Sequence, residues 1–238
     1  SMISIEKTIL FDEDSPIKKG KFKGFEMLCS NSLEHYVFMC GQSLSRVSSS
    51  IDKTRLSLAY LESSYTSPPV LEGSCPSDFI EYSIENFFIR SHGIYDRVLI
   101  FVNRLCDIGL ADESISHNSI ITNEHVKSYS LDATLKKLRK VCTEYRLERN
   151  TIIHHASYRE ETFDTFSMMH KVHSLADDAE AETLINSAVL HDVTNDYLNN
   201  YIEEFNGHLE LISKALNDFY DVAEKVYLIK KSWFKIKI

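Results

Sequence analysis

Glycine and proline are scarce in this chain, and their scarcity favours long helices. The 238 residues include 7 Gly and 4 Pro, the two residue types that most often interrupt helices. No apolar run reaches membrane-spanning length, and the N-terminus lacks a signal-peptide pattern. Ser1-Met2 has the form of a cloning remnant before a native start. We therefore expect a cytoplasmic protein with no membrane partner.

The sequence also lacks the usual signatures of disulfide frameworks and cofactor sites. The five cysteines are odd in number and contain no CxxC pair, which indicates reduced core residues rather than disulfides. There is no glycine-rich phosphate loop and no Gly-x-Ser-x-Gly. His170 and His173 are three residues apart and so share a helix face, but the chain has no His-Glu-x-x-His and no Glu-x-x-His. We predict neither a metal site nor a cofactor.

The chain is acidic overall but contains a local cluster of basic residues. A net charge of −9 argues against a protein that coats nucleic acid in general. Lysine and arginine nevertheless crowd one predicted helix, and the segment 231–238 is a basic tail. A local positive site on an acidic body suits a confined anionic substrate, whereas the plain alternative is a solubilising outer helix face. The residues of the cluster are Lys136, Lys137, Arg139, Lys140, Arg146 and Arg149.

Hydrophobic residues recur with helical spacing along most of the sequence. This pattern predicts an all-α fold, an up-down bundle of four long helices with additional short helices, as one domain over 1–238. Residues 1–24 form an arm that we expect to be extended in part. The first long element is one helix or two nearly collinear ones. The predicted long helices are Phe25 to about Ser64, Asp78–Ile108, Leu131 to about Ser157 and Val189 to about Lys230.

Arg149 breaks the apolar pattern of the third predicted helix. It lies where the heptad-like spacing asks for an apolar residue, so its guanidinium must be paired, lie at a rim or face a wet cleft. Asn150 and His154 are four residues apart and share a face. Arg149 and His154 differ by about 140° around the helix axis. An Arg followed four to six residues later by a His is expected about once by chance in this chain, so the spacing alone decides little.

The hexapeptide Arg149–His154 reads Arg-Asn-Thr-Ile-Ile-His and resembles the signature of the HEPN superfamily, which is an Arg, a polar residue, three further residues and a His. The resemblance extends from about Asp78 to Lys230, and the stretch 95–103 is similar to a stand-alone bacterial branch. Toxins modified by a partner nucleotidyltransferase carry a Tyr two residues after the motif His. Ala156 holds that place here, which argues against an antitoxin of that type.

The resemblance implies an activity and a site. HEPN proteins are small helical bundles, and many are metal-independent ribonucleases in bacterial toxin–antitoxin and phage-defence systems. By resemblance, Arg149 and His154 are catalytic and Asn150 supports them, while His155, Arg146 and Lys140 contact the substrate. RNA is then cleaved by attack of its own 2′-OH, which leaves a 2′,3′-cyclic phosphate. Two chains pair so that their motifs face each other, and an antitoxin protein is a possible further partner.

Three alternatives remain open at this stage. In the first, the chain is a non-catalytic helical module that binds a partner protein or nucleotide, and Arg149 is tied to a buried acid such as Glu85 or Asp96. The second concerns the basic tail, where Trp233 and Phe234 either stack on bases or dock on the bundle. His155 also competes with His154 for the role of the motif histidine, although the family spacing favours His154.

Overall fold

The secondary structure is almost entirely helical. A computed structural model describes residues 4–63, 74–155 and 161–237. Within these ranges one antiparallel hairpin pairs β1 (Phe22–Lys23) with β2 (Glu26–Met27). The fold is all-α, as predicted. The α-helices are α1 (Ser4–Leu10), α2 (Ser32–Ser63), α3 (Pro76–Leu105), α4 (His117–Ile121), α5 (Glu124–Ser128), α6 (Leu131–Cys142), α7 (Arg146–His155), α8 (Glu161–Leu175), α9 (Asp178–Leu184) and α10 (Ser187–Ile236).

Three of the four predicted long helices are present as α2, α3 and α10, but the prediction of one helix from Leu131 to Ser157 is wrong. The chain leaves the helix after Cys142 and starts α7 at Arg146. No Gly or Pro lies at the break, which consists of Thr143, Glu144 and Tyr145. Packing of the Tyr145 side chain, described below, competes with helix continuation there. Tertiary contacts commonly override local propensity in this way.

Three further differences lie outside the long helices. The N-terminal arm begins with helix α1, whose Ile5 and Ile9 are buried, and is not extended there. The acidic segment 177–182 lies in none of the predicted long helices but enters helix α9, because Asp177 caps this helix by accepting from the backbone N–H of Glu180. Helix α10 continues to Ile236, so the basic tail is helical almost to its end.

At the end of α3 a polar residue occupies the capping position that is usually glycine. Asp107 has a φ of 51°, and its N–H donates to the carbonyl of Arg104. The N–H of Ile108 donates to the carbonyl of Asn103 at 3.0 Å. This pair of bonds is the Schellman arrangement, in which the left-handed position is usually Gly. Gly109 lies two residues later and does not cap the helix.

The described residues form two compact units, each with its own core. Unit 1 comprises the described residues of 1–50, 93–142 and 212–238, and unit 2 those of 51–92 and 143–211. Helices α2, α3 and α10 contribute residues to both. All five cysteines are unpaired thiols and four of them are buried, as predicted. The core of unit 2 consists of Leu58, Leu61, Ile80, Ile84, Phe87, Phe88, Ile152, Phe163, Phe166, Tyr197, Leu198, Phe205 and Leu209.

Buried carboxylates hold the N-terminal arm in unit 1. Glu34, at the start of α2, is 1% exposed and accepts from Lys19 at 3.0 Å and from Lys21 at 2.6 Å. Asp12 accepts from Lys231 at 2.7 Å and from the Tyr227 hydroxyl at 2.8 Å. A buried charge is tolerated only when it is paired and hydrogen-bonded in this way. The arm is therefore fixed to α2 at one point and to α10 at another.

Replacing Glu34 by Gln is expected to lower the urea midpoint of unfolding at neutral pH. The bonds from Lys21, the Ser30 amide and Lys19 lower the pKa of Glu34 from 4.5 to about 2. Its contribution to stability is therefore present above pH 4.5 and is lost as the pH falls towards 2. The difference in midpoint between wild type and Glu34→Gln should close over that window. Glu26→Gln, at an exposed glutamate of the hairpin, is the matched control, and a difference that stays constant down to pH 2 contradicts the prediction.

Candidate active site

Helix α7 carries all three residues that we predict to be catalytic. Ile152 is 9% exposed and belongs to the core of unit 2, so it marks the inner side of the helix. His154 is exposed and Asn150 is partly exposed. At about 100° per residue, Arg149 lies about 60° from Ile152, and Asn150 and His154 lie on the outer side. Arg149 thus occupies the edge between the core and the exposed face, one of the positions allowed to an unpaired charge.

The Arg149 side chain is held by its neighbour. Its guanidinium Nη1 donates to the Asn150 side-chain oxygen at 3.0 Å. On the helical wheel Asn150 lies between Arg149 and His154, about 100° from the first and about 40° from the second. The hydrogen bond therefore draws the guanidinium around the helix towards the face that carries the imidazole.

No acid neutralises Arg149 within the part of the chain that the structure describes. No carboxylate of those residues lies within 4.0 Å of its guanidinium nitrogens, and neither Glu85 nor Asp96 forms the ion pair considered above. The side chain is partly exposed rather than sealed in the core. A guanidinium in this situation keeps donors available for an anion.

Tyr145 fixes the beginning of α7. Its hydroxyl donates to Glu204 Oε1 at 2.5 Å, and its ring centroid lies 4.7 Å from that of His208 and 4.9 Å from that of Phe88. Burial, and then the bond to Glu204, raises the pKa of Tyr145, so the phenol stays protonated and donates. Its carbonyl accepts from the N–H of Arg149 at 3.0 Å. Tyr145 thereby ties the first turn of the motif helix to α10.

His208 is the buried polar group of this cluster. It is 5% exposed, and its Nε2 has no hydrogen-bond partner among the described residues. Burial lowers the pKa of His208, and Glu144 partly opposes that shift. The imidazole ring is therefore uncharged at physiological pH and packs against the neighbouring aromatic rings. Our sequence reasoning missed Tyr145, Glu204 and His208 as parts of the site. Tyr145 lies one helical turn before Arg149 in the sequence, so its closeness to the motif could have indicated it. Glu204 is 59 residues from Tyr145, and nothing in the sequence links the two.

Arg146 and Lys140, which the resemblance assigns to substrate contact, belong to different units. Arg146 is exposed on α7 in unit 2, whereas Lys140 is exposed on α6 in unit 1. The His155 side chain lies outside the described residues, as does Ala156, so the second histidine and the position of the family tyrosine receive no structural account. Arg149, Asn150 and His154 share helix α7, and Arg149 contacts Asn150.

The other histidines considered for metal binding have protein partners. The His170 Nε2 lies 2.9 Å from the Thr194 hydroxyl, and the His173 Nε2 lies 3.2 Å from that of Ser187. Across the described ranges, no group of three or more His, Cys, Asp or Glu residues is arranged to hold a metal ion. In the same ranges, no helix combines the length and apolar character needed to cross a membrane.

Comparison with known protein families gives a match that covers the motif. A family model described as HEPN_Cthe2314-like HEPN matches residues 75–224. The chain belongs to this HEPN family. The matched segment includes α3, α6, α7 and most of α10, and so contains the whole Arg149–His154 motif, while α1, the hairpin and α2 lie outside it. No curated protein and no solved structure matches the chain significantly. Membership of the HEPN superfamily, expected from the motif, is confirmed.

Replacing Tyr145 by Phe is expected to destabilise unit 2 by about 1 kcal/mol, because the change removes a hydrogen bond to a carboxylate at a partly exposed site. Urea denaturation followed by circular dichroism measures the difference. Tyr82→Phe is the matched control, since Tyr82 is an exposed tyrosine on α3. Equal stability of Tyr145→Phe and wild type would show that the bond to Glu204 does not anchor α7.

Proposed function

We propose that this HEPN protein is a metal-independent endoribonuclease of a bacterial toxin or phage-defence system. The observation that carries the proposal is the state of Arg149, a half-buried guanidinium held by Asn150, with no carboxylate near it among the described residues. A guanidinium at the rim of a core that no carboxylate neutralises keeps its donors available for an anion. The class of reaction, RNA cleavage, is inferred from two further points. Arg149–His154 resembles the superfamily signature, and the family match includes this motif.

The chemistry follows from the properties of the two side chains. The His154 imidazole takes the proton of the ribose 2′-OH as a general base. The 2′ oxygen forms a bond to the adjacent phosphorus, and the bond from phosphorus to the 5′ oxygen breaks. The 5′ oxygen leaves with the electron pair of that bond and takes up a proton from solvent, so the products are a 2′,3′-cyclic phosphate and a 5′-OH end. Arg149 stabilises the charge that develops on the phosphoryl oxygens, because its fork of donors matches them.

Asn150 supports this arrangement without adding charge. Its side-chain oxygen orients the guanidinium, and its side-chain nitrogen has no hydrogen-bond partner among the described residues. That nitrogen is a donor suited to a phosphate oxygen. Arg146, exposed on the same helix, adds positive charge that attracts the polyanion.

RNA cleavage in the presence of EDTA tests the proposal. Wild-type protein is expected to cut RNA and to leave 2′,3′-cyclic phosphate ends, which are read by end-labelling with and without phosphatase treatment. His154→Ala and Arg149→Ala should each lower the rate at least about 100-fold, since each removes a group that acts in the transition state. Arg149→Lys keeps the charge but loses the fork, so it should recover only part of the rate.

The matched control is His35→Ala, at an exposed histidine on α2 outside the family segment. Its rate should equal that of wild type. Full cleavage by His154→Ala would transfer the role of base to another residue. No cleavage by wild type across several RNAs would instead favour the alternative of a non-catalytic interaction module, in which the exposed face of α7 binds a partner protein or nucleotide.

We infer that the active form is a homodimer in which the α7 helices face each other. The outer face of α7 exposes two apolar side chains, Leu147 at 78% and Ile153 at 46%. They flank the Asn150–His154 side of the wheel, and apolar residues at such positions are typical of contact surfaces. One Arg–His set from each chain would then line a shared cleft.

Leu147→Asp is expected to convert the dimer to a monomer and to abolish cleavage, although it changes no catalytic group. Light scattering coupled to gel filtration measures the mass, and the RNA assay measures the rate. Leu211→Asp, at an exposed leucine of α10, is the control and should change neither. Full activity in a monomeric Leu147→Asp protein would show that one chain holds a complete site.

A further inference from the structure

We propose that unit 2 binds a small amphipathic amine, an organic ammonium ion with a short apolar tail, in a cavity between α8 and α10. We call this cavity the α8–α10 groove. It holds about 590 Å³, which lies within the range of about 300 to 1,000 Å³ found for sites of small ligands. The described side chains that line it all belong to unit 2 and do not include Arg149, Asn150 or His154. Binding there is therefore separate from the proposed ribonuclease activity.

The side chains of the groove share one face of each helix. On α10 they are Val193, Asp196, Tyr197 and Asn200, which are separated by three, one and three residues. On α8 they fall within Glu161–Met169, at separations of one, three, one and three residues. Residues three and four apart are neighbours on a helix surface. The two sets therefore line one continuous cavity.

Two stacked aromatic rings form the floor of the groove. Phe166 and Tyr197 have ring centroids 4.8 Å apart and an angle of 13° between their planes, and they are 2% and 9% exposed. One turn further along α8, the His170 Nε2 lies 2.9 Å from the Thr194 hydroxyl. The helices are antiparallel, because residue numbers rise along α8 where they fall along α10. These contacts fix α8 against α10, and a rigid floor lowers the entropy cost of binding.

The groove is apolar at one end and polar at the other. Because the helices are antiparallel, Met169 and Val193 lie towards the same end. Glu161 and Asn200 lie towards the opposite end, and Asp196 lies between the two ends. A ligand that matches this order has an apolar tail and a polar head.

The charges of the lining select a cationic head. Glu161 and Asp196 are exposed, and neither forms an ion pair with another described residue. The described lining contains no Lys, Arg or His. His170, whose ring centroid lies 4.6 Å from that of Phe166, is uncharged at neutral pH because burial lowers its pKa. An ammonium ion offers three donors, which the two carboxylates and the Asn200 side-chain oxygen can accept.

Other classes of ligand fit the groove less well. A nucleotide or another phosphate would meet two carboxylates and no cation that offsets them. A divalent metal ion takes about six or more oxygen ligands, and in the described parts of the chain no group of three or more His, Cys, Asp or Glu residues could hold one. A wholly apolar ligand would desolvate the carboxylates without pairing them. A lysine side chain of a protein carries the same ammonium group as a free amine, so the binding experiment compares the two.

A pair of ligands that differ in charge tests the proposal. The probe is 2-phenylethylamine, which is protonated at neutral pH and carries an apolar ring, and 2-phenylethanol is its uncharged counterpart of similar shape. Isothermal titration calorimetry with the full-length protein at low salt measures both dissociation constants. The amine is expected to bind at least about tenfold more tightly than the alcohol, and added salt should reduce this preference.

Single substitutions separate the two ends of the groove. Glu161→Gln and Asp196→Asn remove charge but keep shape, so each should weaken binding of the amine about fivefold and leave that of the alcohol unchanged. Val193→Ser should weaken binding of both ligands about threefold. Asp218→Asn, at an exposed aspartate of α10 in unit 1, is the matched control and should bind like wild type. Circular dichroism verifies that each variant is folded.

Four results overturn the proposal. The first two are no binding of the amine and equal affinity for the amine and the alcohol. The third is a preference for the amine that Glu161→Gln and Asp196→Asn both leave intact. The fourth is tighter binding of Nα-acetyl-lysine amide than of 2-phenylethylamine, which would assign the groove to a protein partner. Cleavage of RNA plays no part in these readouts, so failure here leaves the ribonuclease proposal untouched.

Discussion

The packing of one tyrosine determines how the motif helix presents its side chains. Tyr145 is enclosed by Phe87, Phe88, Phe205 and His208 and donates to Glu204. These contacts set where α7 begins. Each residue turns a helix by about 100°, so a register displaced by one residue would turn Ile152 away from the core. The rim position of Arg149 therefore depends on an aromatic contact that takes no part in the proposed chemistry.

This dependence changes the reasoning about Arg149. The sequence pattern placed Arg149 on one apolar seam that ran from Leu131 through Cys142, and made it the single misplaced charge of that seam. The structure ends that seam at Cys142, whose thiol is buried in unit 1 and has its pKa raised by burial to about 12. Arg149 is unusual for a different reason, since it lies at the edge of a separate helix beside a buried Ile152. The choice of Arg149 as a candidate site residue therefore rests on a different geometric argument from the one that the sequence pattern offered.

Features set by local sequence were predictable, whereas features set by contacts distant in sequence were not. The long helices α2, α3 and α10 were predictable because periodic apolar residues and the scarcity of Gly and Pro both act locally. The break at 143–145 and the Tyr145–Glu204 bond were not, because they arise from contacts distant in sequence. Helix α1 was missed because its seven residues offer too little periodicity. The motif was recognised by resemblance, and helical geometry alone could not decide whether Arg149 and His154 converge.

Charge counts from sequence also overstate what is available for binding. Lys19, Lys21, Lys231 and Lys235 are occupied by the carboxylates of Asp12, Asp14 and Glu34. These ion pairs stabilise the fold of unit 1. The lysines that remain free to bind an external anion are therefore far fewer than the basic residues of the arm and of the end of α10.

The contact between Asn150 and Arg149 shows the same difference between a cation that is neutralised and one that stays free to bind an anion. An aspartate at that position would accept from Arg149 more strongly, because a charge-assisted bond is stronger than a neutral one. It would also cancel the positive charge next to His154 and repel a phosphate. The neutral amide orients the guanidinium, leaves its charge uncompensated and keeps a donor of its own. A site that must attract a phosphodiester and then stabilise added negative charge needs an arginine that is positioned but not neutralised, and the contact between Arg149 and Asn150 meets both conditions.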